Sequence, residues 1–150
     1  MALIRKAHRQ DVARIAEIRV FCYRLNFYPV FQEDSFYFQE LQVLNVMQEM
    51  EDALAETYVY DDGVVKGFVR VRDKEIVQLF VEPVLQGRGI GAALLSFAVK
   101  EKGANWLWAL EKNERAVRFY ERHGFFLTRE KQLEDGTEEY LVRMERKKMK

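Results

Sequence analysis

The spacing of hydrophobic and polar residues along this chain predicts seven short strands and four helices. The strands are predicted at residues 3–6, 57–60, 64–71, 76–81, 106–110, 125–133 and 138–144. The helices are predicted from Asp11, over 36–54, over 91–102 and from Asn113. Only the unit from 76 to 110 has the strand, helix and strand order of a parallel crossover. We therefore expect an α/β fold with three layers, α/β/α, on a mixed, mostly antiparallel sheet of about seven strands with one parallel βαβ crossover.

The run from Ile76 to Val81 is the expected centre of this sheet. Its nearly continuous apolar sequence is typical of a strand that is covered on both faces. The first helix is expected to turn one apolar face toward the core, made of Val12, Ile15, Ile18 and Cys22. The segment 21–38 follows, crowded with aromatic residues and broken by Pro29. We expect several of these aromatics to belong to the core and others to face a substrate.

The composition indicates one domain spanning residues 1–150. Of the 150 residues, 49% are hydrophobic, which is enough for one sizeable core. Lysine plus arginine equal aspartate plus glutamate at 24 each, so no net charge favours nucleic acid or an anionic membrane. No apolar segment approaches a signal peptide or the roughly 20 residues of a membrane span. Cys22 is the single cysteine, which fits a reducing compartment, and we expect a cytoplasmic protein.

Metal-dependent and serine-nucleophile chemistry have little support in this sequence. His8 and His123 lack companion residues at the spacing of a metal site. Ser96 lies inside a predicted helix, whereas a nucleophilic serine of that kind sits on a sharp strand-to-helix turn. We therefore expect no metal cofactor.

The segment between the central strand and the next helix contains three alternating glycines, Gly87, Gly89 and Gly91. A helix start leaves backbone N–H groups unpaired and carries a partial positive charge, so it attracts phosphate. Glycines allow the backbone to approach phosphate oxygens closely, and Arg88 adds a permanent positive charge. The segment predicts a pyrophosphate-binding turn. An ordinary glycine-rich turn is the alternative.

The same turn satisfies the dinucleotide fingerprint G-x-G-x-x-A from Gly87 to Ala92. Glu111 follows about 20 residues later, where such a fold places a ribose ligand. The predicted elements around the turn do not fit a dinucleotide-binding fold. Five residues separate Val81 from the first glycine, and little parallel sheet is predicted after the turn. A dinucleotide site is therefore the weaker interpretation.

Two segments of the chain resemble the GCN5-related N-acetyltransferase (GNAT) family. Gln86, Gly89 and Gly91 match the family motif Q/R-x-x-G-x-G/A. The segment from Asn113 to Phe125 reads N-x-x-A-x-x-F-Y followed by G-F, and it is similar to the segment after the fifth strand of that family. Each motif alone is weak, whereas the pair is specific. Together with the order of elements, the resemblance covers nearly the whole chain.

The resemblance implies an acyl-CoA N-acyltransferase fold and acetyl-coenzyme A (acetyl-CoA) as the acetyl donor. The pyrophosphate of the coenzyme would rest on the turn formed by Gln86, Gly87, Arg88, Gly89, Ile90, Gly91 and Ala92. The pantetheine arm would pair with the backbone of Leu79, Phe80 and Val81. A β-bulge in this strand would turn one amide, that of Leu79, toward the thioester carbonyl as an oxyanion donor.

Two residues after the fifth strand take roles from the same resemblance. Tyr120 stands at the family position of the general acid that protonates the departing thiolate, and a core tyrosine is the alternative. Asn113 stands at the position of a coenzyme contact, and it is also a favourable helix cap.

The general base is the least determined part of the predicted site. Glu75 has the spacing from the glycine motif that resembles the base of the histone-acetylating branch, with an exposed strand-end glutamate as the alternative. The branch that acetylates ribosomal proteins has a glutamate where this chain has Trp108, so the resemblance to that branch is weaker. Glu82 and Glu111 are further carboxylates near the expected cleft.

By the same resemblance, the acceptor should bind between the segment 21–38 and the closing hairpin. Glu33, Asp34 and Glu40 would suit a cationic amine, either a small molecule or a protein or peptide. The expected function is N-acetylation of a primary amine by direct attack, in a monomer or homodimer that binds neither nucleic acid nor membrane. The alternatives are a catalytically silent CoA-binding domain of the same fold and, more remotely, an NAD-type dinucleotide-binding domain.

Overall fold

The computed structural model of this chain describes residues 3–147, so the two residues at the start and the three at the end of the predicted domain lie outside it. Its strands are β1 Ile4–Lys6, β2 Thr57–Asp61, β3 Val65–Arg72, β4 Glu75–Val81, β5 Trp106–Leu110, β6 Phe125–Leu133 and β7 Tyr140–Arg146. Its α-helices are α1 Val12–Asn26, α2 Tyr28–Phe31, α3 Val43–Asp52, α4 Ile90–Lys102 and α5 Glu114–Arg122. Every strand lies within two residues of its predicted bounds.

The seven strands form one sheet in the order β1-β2-β3-β4-β5-β7-β6. All neighbours are antiparallel except β4 and β5, which are parallel and connected through α4. The predicted fold class is therefore confirmed, and β4 is the fourth of the seven strands as expected. This topology leaves a single parallel pair, far from the extended parallel sheet that a dinucleotide-binding fold requires.

The helices form two layers, one on each face of the sheet. On one face, α1 packs against α3, β3 and β4, and the predicted stripe of α1 is buried, including Cys22. On the other face, α4 packs against β3 and β4, while α5 packs against β6. Each face has its own hydrophobic core, centred on Ile15 and Phe68 on the first face and on Leu94 and Leu107 on the second.

The start of α1 differs from the predicted cap. Asp11 precedes the helix, but its side chain does not cap it. The carboxylate accepts hydrogen bonds from the guanidinium of Arg5 at 2.8 and 3.0 Å and from the backbone amide of His8 at 2.7 Å. The charged guanidinium is the stronger donor, so the carboxylate links β1 to the turn before the helix.

The predicted helix over 36–54 is wrong as a continuous element. A π-helical turn, Phe36–Glu40, is followed by a break, and α3 begins only at Val43. The guanidinium of Arg24 on α1 donates to the carbonyl of Tyr37 at 3.1 Å and to that of Leu41 at 3.2 Å. Since these carbonyls are taken by a side chain, the turn ends there instead of continuing into α3.

Among residues 3–147, no helix has the length and apolar character that crossing a membrane requires.

Candidate functional site

The parallel strands β4 and β5 pair only at their first residues. Glu75 lies opposite Trp106 and Ile76 lies opposite Leu107, and the pairing ends there. Beyond Ile76 the two strands separate, so the second half of β4 has a neighbour on one side only, the antiparallel strand β3. A free strand edge thus opens in the middle of the sheet, at the carboxyl end of β4.

The hydrogen-bond register shows which backbone groups face this opening. The amide of Glu82 donates to the carbonyl of Lys66 at 2.9 Å, which makes this a hydrogen-bonded pair. Because hydrogen-bonded and non-hydrogen-bonded pairs alternate along an antiparallel ladder, the amides of Gln78 and Phe80 also point toward β3. The amides of Leu79 and Val81 therefore point the other way, into the gap between β4 and β5.

A bulge in β4 lies just before these residues. Arg70 of β3 pairs with Gln78, whereas the next residue, Val71, pairs with Ile76, so Val77 is the extra residue of β4. The bulge is two residues ahead of the position expected to supply the oxyanion donor. It bends the strand where the pairing to β5 ends, which is the geometry that re-aims backbone groups next to a site.

The glycine turn and the start of α4 form the next wall of the opening. Gly87 and Gly89 both have φ of 84°, a left-handed conformation that disfavours any side chain. A Cβ built on either glycine would have no atom within 4 Å, so the turn presents open backbone. The first backbone bond of α4 runs from the amide of Ala93 to the carbonyl of Gly89 at 3.0 Å, which leaves the amides before Ala93 available to a ligand.

The side chain of Gln86 fastens this turn to the sheet. Its amide nitrogen donates to the carbonyl of Val81 at 3.3 Å, and the thiol of Cys22 donates to the same oxygen at 3.1 Å. Burial raises the pKa of the Cys22 thiol to about 12, so this cysteine is not a thiolate at neutral pH. Gln86 therefore positions the turn, while Arg88 extends from it as an exposed side chain.

The free edge of β4 and the glycine turn border one cavity of about 800 Å³. Ten of the eleven residues expected to bind the coenzyme line it, namely Leu79, Phe80, Val81, Gln86, Gly87, Gly89, Ile90, Gly91, Ala92 and Asn113; Arg88 does not. Residues 3–147 contain no group of three or more His, Cys, Asp or Glu side chains placed to hold a metal ion.

Tyr120 of α5 also lines this cavity. Its ring lies 5.2 Å from that of Phe119 and 5.7 Å from that of Phe125, both between ring centroids. The residue is only partly exposed, and burial raises the pKa of its hydroxyl above the ordinary value. The phenol is therefore fully protonated at neutral pH and can act only as a proton donor.

Asn113 occupies the junction between β5 and α5. Its side-chain oxygen accepts a hydrogen bond from the amide of Ala116 at 3.3 Å, which makes it the cap of α5. Since Asn113 lines the cavity as well, capping and a coenzyme contact are compatible.

The three carboxylates considered as bases do not line the cavity. Glu75 lies at the start of β4, where this strand is still paired with β5. The charges of Arg70, Arg72 and Arg143 are nearby, and partial burial raises the pKa of the Glu75 carboxyl. The position follows from topology, because the strands separate only after Ile76.

The other two carboxylates are held by ion pairs. Glu82 pairs with Arg14 at 3.1 Å, and Glu111 pairs with Lys131 at 2.6 Å. Glu111, the residue considered as a ribose ligand of a dinucleotide site, thus lies outside the cavity lining.

Several residues of the cavity were not identified from the sequence. Gln78 is buried, with 8% of its surface exposed, and its side-chain oxygen has no hydrogen-bond partner among the described residues. The sequence did distinguish this residue, since Gln78 is the one polar residue in the otherwise apolar run from Ile76 to Val81. Glu134 and Asp135 also line the cavity, although their sequence indicated only a turn.

Of the acidic residues expected to suit a cationic acceptor, only Glu33 lines the cavity. The carboxylate of Asp34 accepts a hydrogen bond from the hydroxyl of Tyr28 instead. Glu40 is exposed outside the cavity at the end of the π-helical turn.

A family model described as an acetyltransferase (GNAT) domain matches residues 53–126. This segment contains β4, the glycine turn, α4, β5 and α5, which are among the elements that border the cavity.

A curated relative from Escherichia coli (strain K12), the peptidyl-lysine N-acetyltransferase YiaC, is 32% identical over 77 residues, which are 50% of this chain and 53% of YiaC. The chain thus spans about half the length of this relative. The solution structure of apo YjaB from Escherichia coli has a TM-score of 0.74 at 21% identity and covers 95% of both chains. The structure of yncA from Salmonella typhimurium, determined with its cofactor acetyl-CoA, has a TM-score of 0.66 at 22% identity and covers 94% of this chain and 90% of yncA. At these identities the two structures establish a shared fold.

Proposed function

The chain belongs to the GCN5-related N-acetyltransferase family, and from this premise we propose that it transfers the acetyl group of acetyl-CoA to a primary amine. One observation carries the proposal. The strands β4 and β5 separate beside the glycine turn, so a free strand edge, an open helix start and the hydroxyl-bearing Tyr120 border the same cavity.

The glycine turn is the proposed site of the coenzyme pyrophosphate. The amides from Gly87 to Ala92 precede the first backbone bond of α4 and carry the partial positive charge of a helix start. Arg88 adds a full positive charge from the solvent side. The pantetheine arm then extends along β4, where its amide groups pair with the carbonyl of Leu79 and the amide of Val81 as an additional strand would.

Leu79 is the proposed oxyanion donor. Its amide points into the gap between the strands, where the carbonyl oxygen of the thioester becomes negative as the amine attacks. A backbone donor held by the β3–β4 ladder needs little rearrangement when this charge develops. Phe80 contributes packing only, since its amide is used within the sheet.

Tyr120 is the proposed general acid. The amine nitrogen bonds to the carbonyl carbon of the thioester, the carbon–sulfur bond breaks, and the thiolate takes the proton of the phenol. The phenolate of Tyr120 then takes up the proton that the amine releases, so the net products are an amide and free CoA thiol.

The amine must be neutral to attack, yet an alkylamine with a pKa near 10.4 is mostly protonated at neutral pH. Glu75 stays a predicted base, and it would act through water because it does not line the cavity. We further propose that residues 1–150 act as one domain, since both helical layers share one sheet.

Release of free thiol from acetyl-CoA, measured across a panel of primary amines, tests the proposed function. We expect amine-dependent thiol release, with the acetylated amine identified by mass spectrometry. Tight binding of CoA without turnover on any amine would mean a catalytically silent CoA-binding domain.

A further inference from the structure

Two further segments of the chain line the cavity. Glu33 and Tyr37 come from the stretch around the π-helical turn, and Glu134 comes from the turn between β6 and β7. Burial together with the negative charges of Glu33 and Glu134 raises the pKa of the Tyr37 hydroxyl to about 12. Glu134 is half-buried and Glu33 is exposed, and both carboxylates line the same cavity as Tyr37.

These carboxylates have no cationic partner within residues 3–147. Among the described residues, neither Glu33 nor Glu134 nor the neighbouring Asp135 forms an ion pair with a lysine, arginine or histidine. Partial burial and the charge of Asp135 raise the pKa of Glu134. A half-buried carboxylate without a cation is destabilising, and a bound cation would relieve that cost.

One buried polar side chain points to a ligand independently of the acidic residues. Gln78 has only 8% of its surface exposed, and its side-chain oxygen has no hydrogen-bond partner among the described residues. Buried polar groups are nearly always hydrogen-bonded, so an unpartnered group on a residue that lines the cavity indicates that a polar ligand completes it. Tyr37 lines the same cavity.

The wall between these groups is aromatic. Tyr23, Phe27, Phe31 and Phe36 line the cavity on the same side as Tyr37. The rings of Tyr23 and Phe27 contact each other at 4.9 Å, and the ring of Tyr23 lies 5.4 Å from that of Phe80 on β4. Such a wall accommodates an alkyl chain and favours a nearby cation through the faces of its rings.

We propose that the acceptor is a small linear amine with a second positive charge, and that Glu33, Glu134 and Tyr37 bind that second charge. One amino group lies at the thioester beside Leu79, the alkyl chain follows the aromatic wall, and the distal ammonium sits between the two carboxylates. This assignment rests on the proposed function and specifies its substrate class as diamines or polyamines.

The test compares 1,5-diaminopentane with 1-aminopentane as acceptors, with thiol release as the readout. We expect kcat/KM to be at least 100-fold higher for the diamine. Glu134→Gln and Glu33→Gln should each reduce kcat/KM for the diamine at least tenfold, through KM, and change the value for the monoamine less than threefold. Glu138→Gln is the matched control, since Glu138 is an exposed glutamate of the same hairpin that does not line the cavity.

Equal use of the two amines would overturn the proposal, and so would a Glu134→Gln variant that keeps the wild-type preference. Acetylation of a lysine peptide at least tenfold faster than of the diamine would also overturn it. Calorimetric titration of the diamine into the CoA-bound protein separates this proposal from the proposed function. Binding that is lost in Glu134→Gln supports the subsite even without turnover, and an absence of binding contradicts it.

Discussion

Leu79 of β4 lies opposite Val69 of β3 in a pair whose backbone amides point away from each other. The amide of Leu79 consequently faces the gap where β4 and β5 have separated. The register of an antiparallel ladder, set by hydrogen bonds on one side of β4, thus determines which amides the other side presents to a ligand. The proposed oxyanion donor follows from this relationship and needs no side chain.

Replacing Tyr120 with phenylalanine tests the proposed general acid. The ring packing against Phe119 and Phe125 is retained while the donor is lost, so we expect kcat to fall about 100-fold with little change in stability. The KM for acetyl-CoA should stay within about twofold, because the phenol acts on the leaving thiolate. Steady-state kinetics of thiol release measures both values.

The matched control for this substitution is Tyr140→Phe, which removes the hydroxyl of an exposed tyrosine outside the cavity. It should leave kcat unchanged. A Tyr120→Phe variant with wild-type kcat would show that Tyr120 is a packing residue alone.

Gly89→Ala tests the glycine turn as a phosphate site. Gly89 has φ of 84°, and Gly103 at the opposite end of α4 has φ of 69°. Either alanine should destabilise the protein by about 1 kcal/mol, since left-handed backbone disfavours a side chain. Only Gly89→Ala should weaken CoA binding, by about tenfold or more, because its methyl group also occupies the space open to the phosphates.

Calorimetric binding of CoA to both variants, with their unfolding free energies measured by urea denaturation, separates the two effects. Equal loss of affinity in Gly103→Ala would mean that backbone strain, transmitted along α4, explains the change.

The pH dependence of the reaction tests how the amine is deprotonated. Burial keeps the pKa of Tyr120 above its ordinary value, so the general acid remains protonated throughout the working range. The neutral fraction of the amine rises tenfold per pH unit below its pKa of about 10.4. We expect log kcat/KM to rise with a slope near one from pH 6 to 9. A decline below pH 9 would contradict the assignment of the acid.

Asp11→Asn tests the ion pair that links β1 to the start of α1. The side-chain hydrogen bonds from Arg5 hold the pKa of Asp11 below its ordinary value. The stabilisation that the ionised Asp11 carboxylate gives the folded protein is therefore present above the pKa of aspartate in the unfolded chain, about 3.9. It is lost as the pH falls through the lower pKa of Asp11 in the folded protein. We expect Asp11→Asn to lower the free energy of unfolding by about 1–3 kcal/mol at pH 7 and by less at pH 3.

Urea denaturation at both pH values measures this difference. The exposed pair of Asp62 with Lys66 supplies the control, and Asp62→Asn should show little effect at either pH. If Asp11→Asn lowered the free energy of unfolding as much at pH 3 as at pH 7, Asp11 would stabilise the protein through packing and not through its charge.

The sequence was sufficient for the sheet and for the glycine turn that borders the cavity. Alternating apolar residues and turn glycines are local signals, so strand bounds and the glycine turn followed directly from them. The continuous helix predicted over 36–54 failed because its end depends on Arg24, which is distant in sequence and takes the carbonyls of Tyr37 and Leu41.

The acceptor half could not be predicted for a similar reason. Glu33 and Glu134 are separated by most of the chain, and only the tertiary fold brings both beside Tyr37. Glu75 stays a prediction whose position the sequence did not indicate. Its spacing from the glycine motif resembles that of a base, yet spacing along the strand does not show that β4 and β5 remain paired at that end, so that Glu75 does not line the cavity.

Backbone amide hydrogen exchange, followed by NMR with and without saturating acetyl-CoA, tests the central claim most directly. The account predicts that the amides of Leu79 and Val81 exchange about tenfold or more slowly in the complex, because the amide of Val81 pairs with the pantetheine arm and that of Leu79 donates to the thioester carbonyl. The amides of Gln78 and Phe80, already bonded within the β3–β4 ladder, should change little. Unaltered exchange at Leu79 and Val81 in a protein saturated with acetyl-CoA would contradict the account.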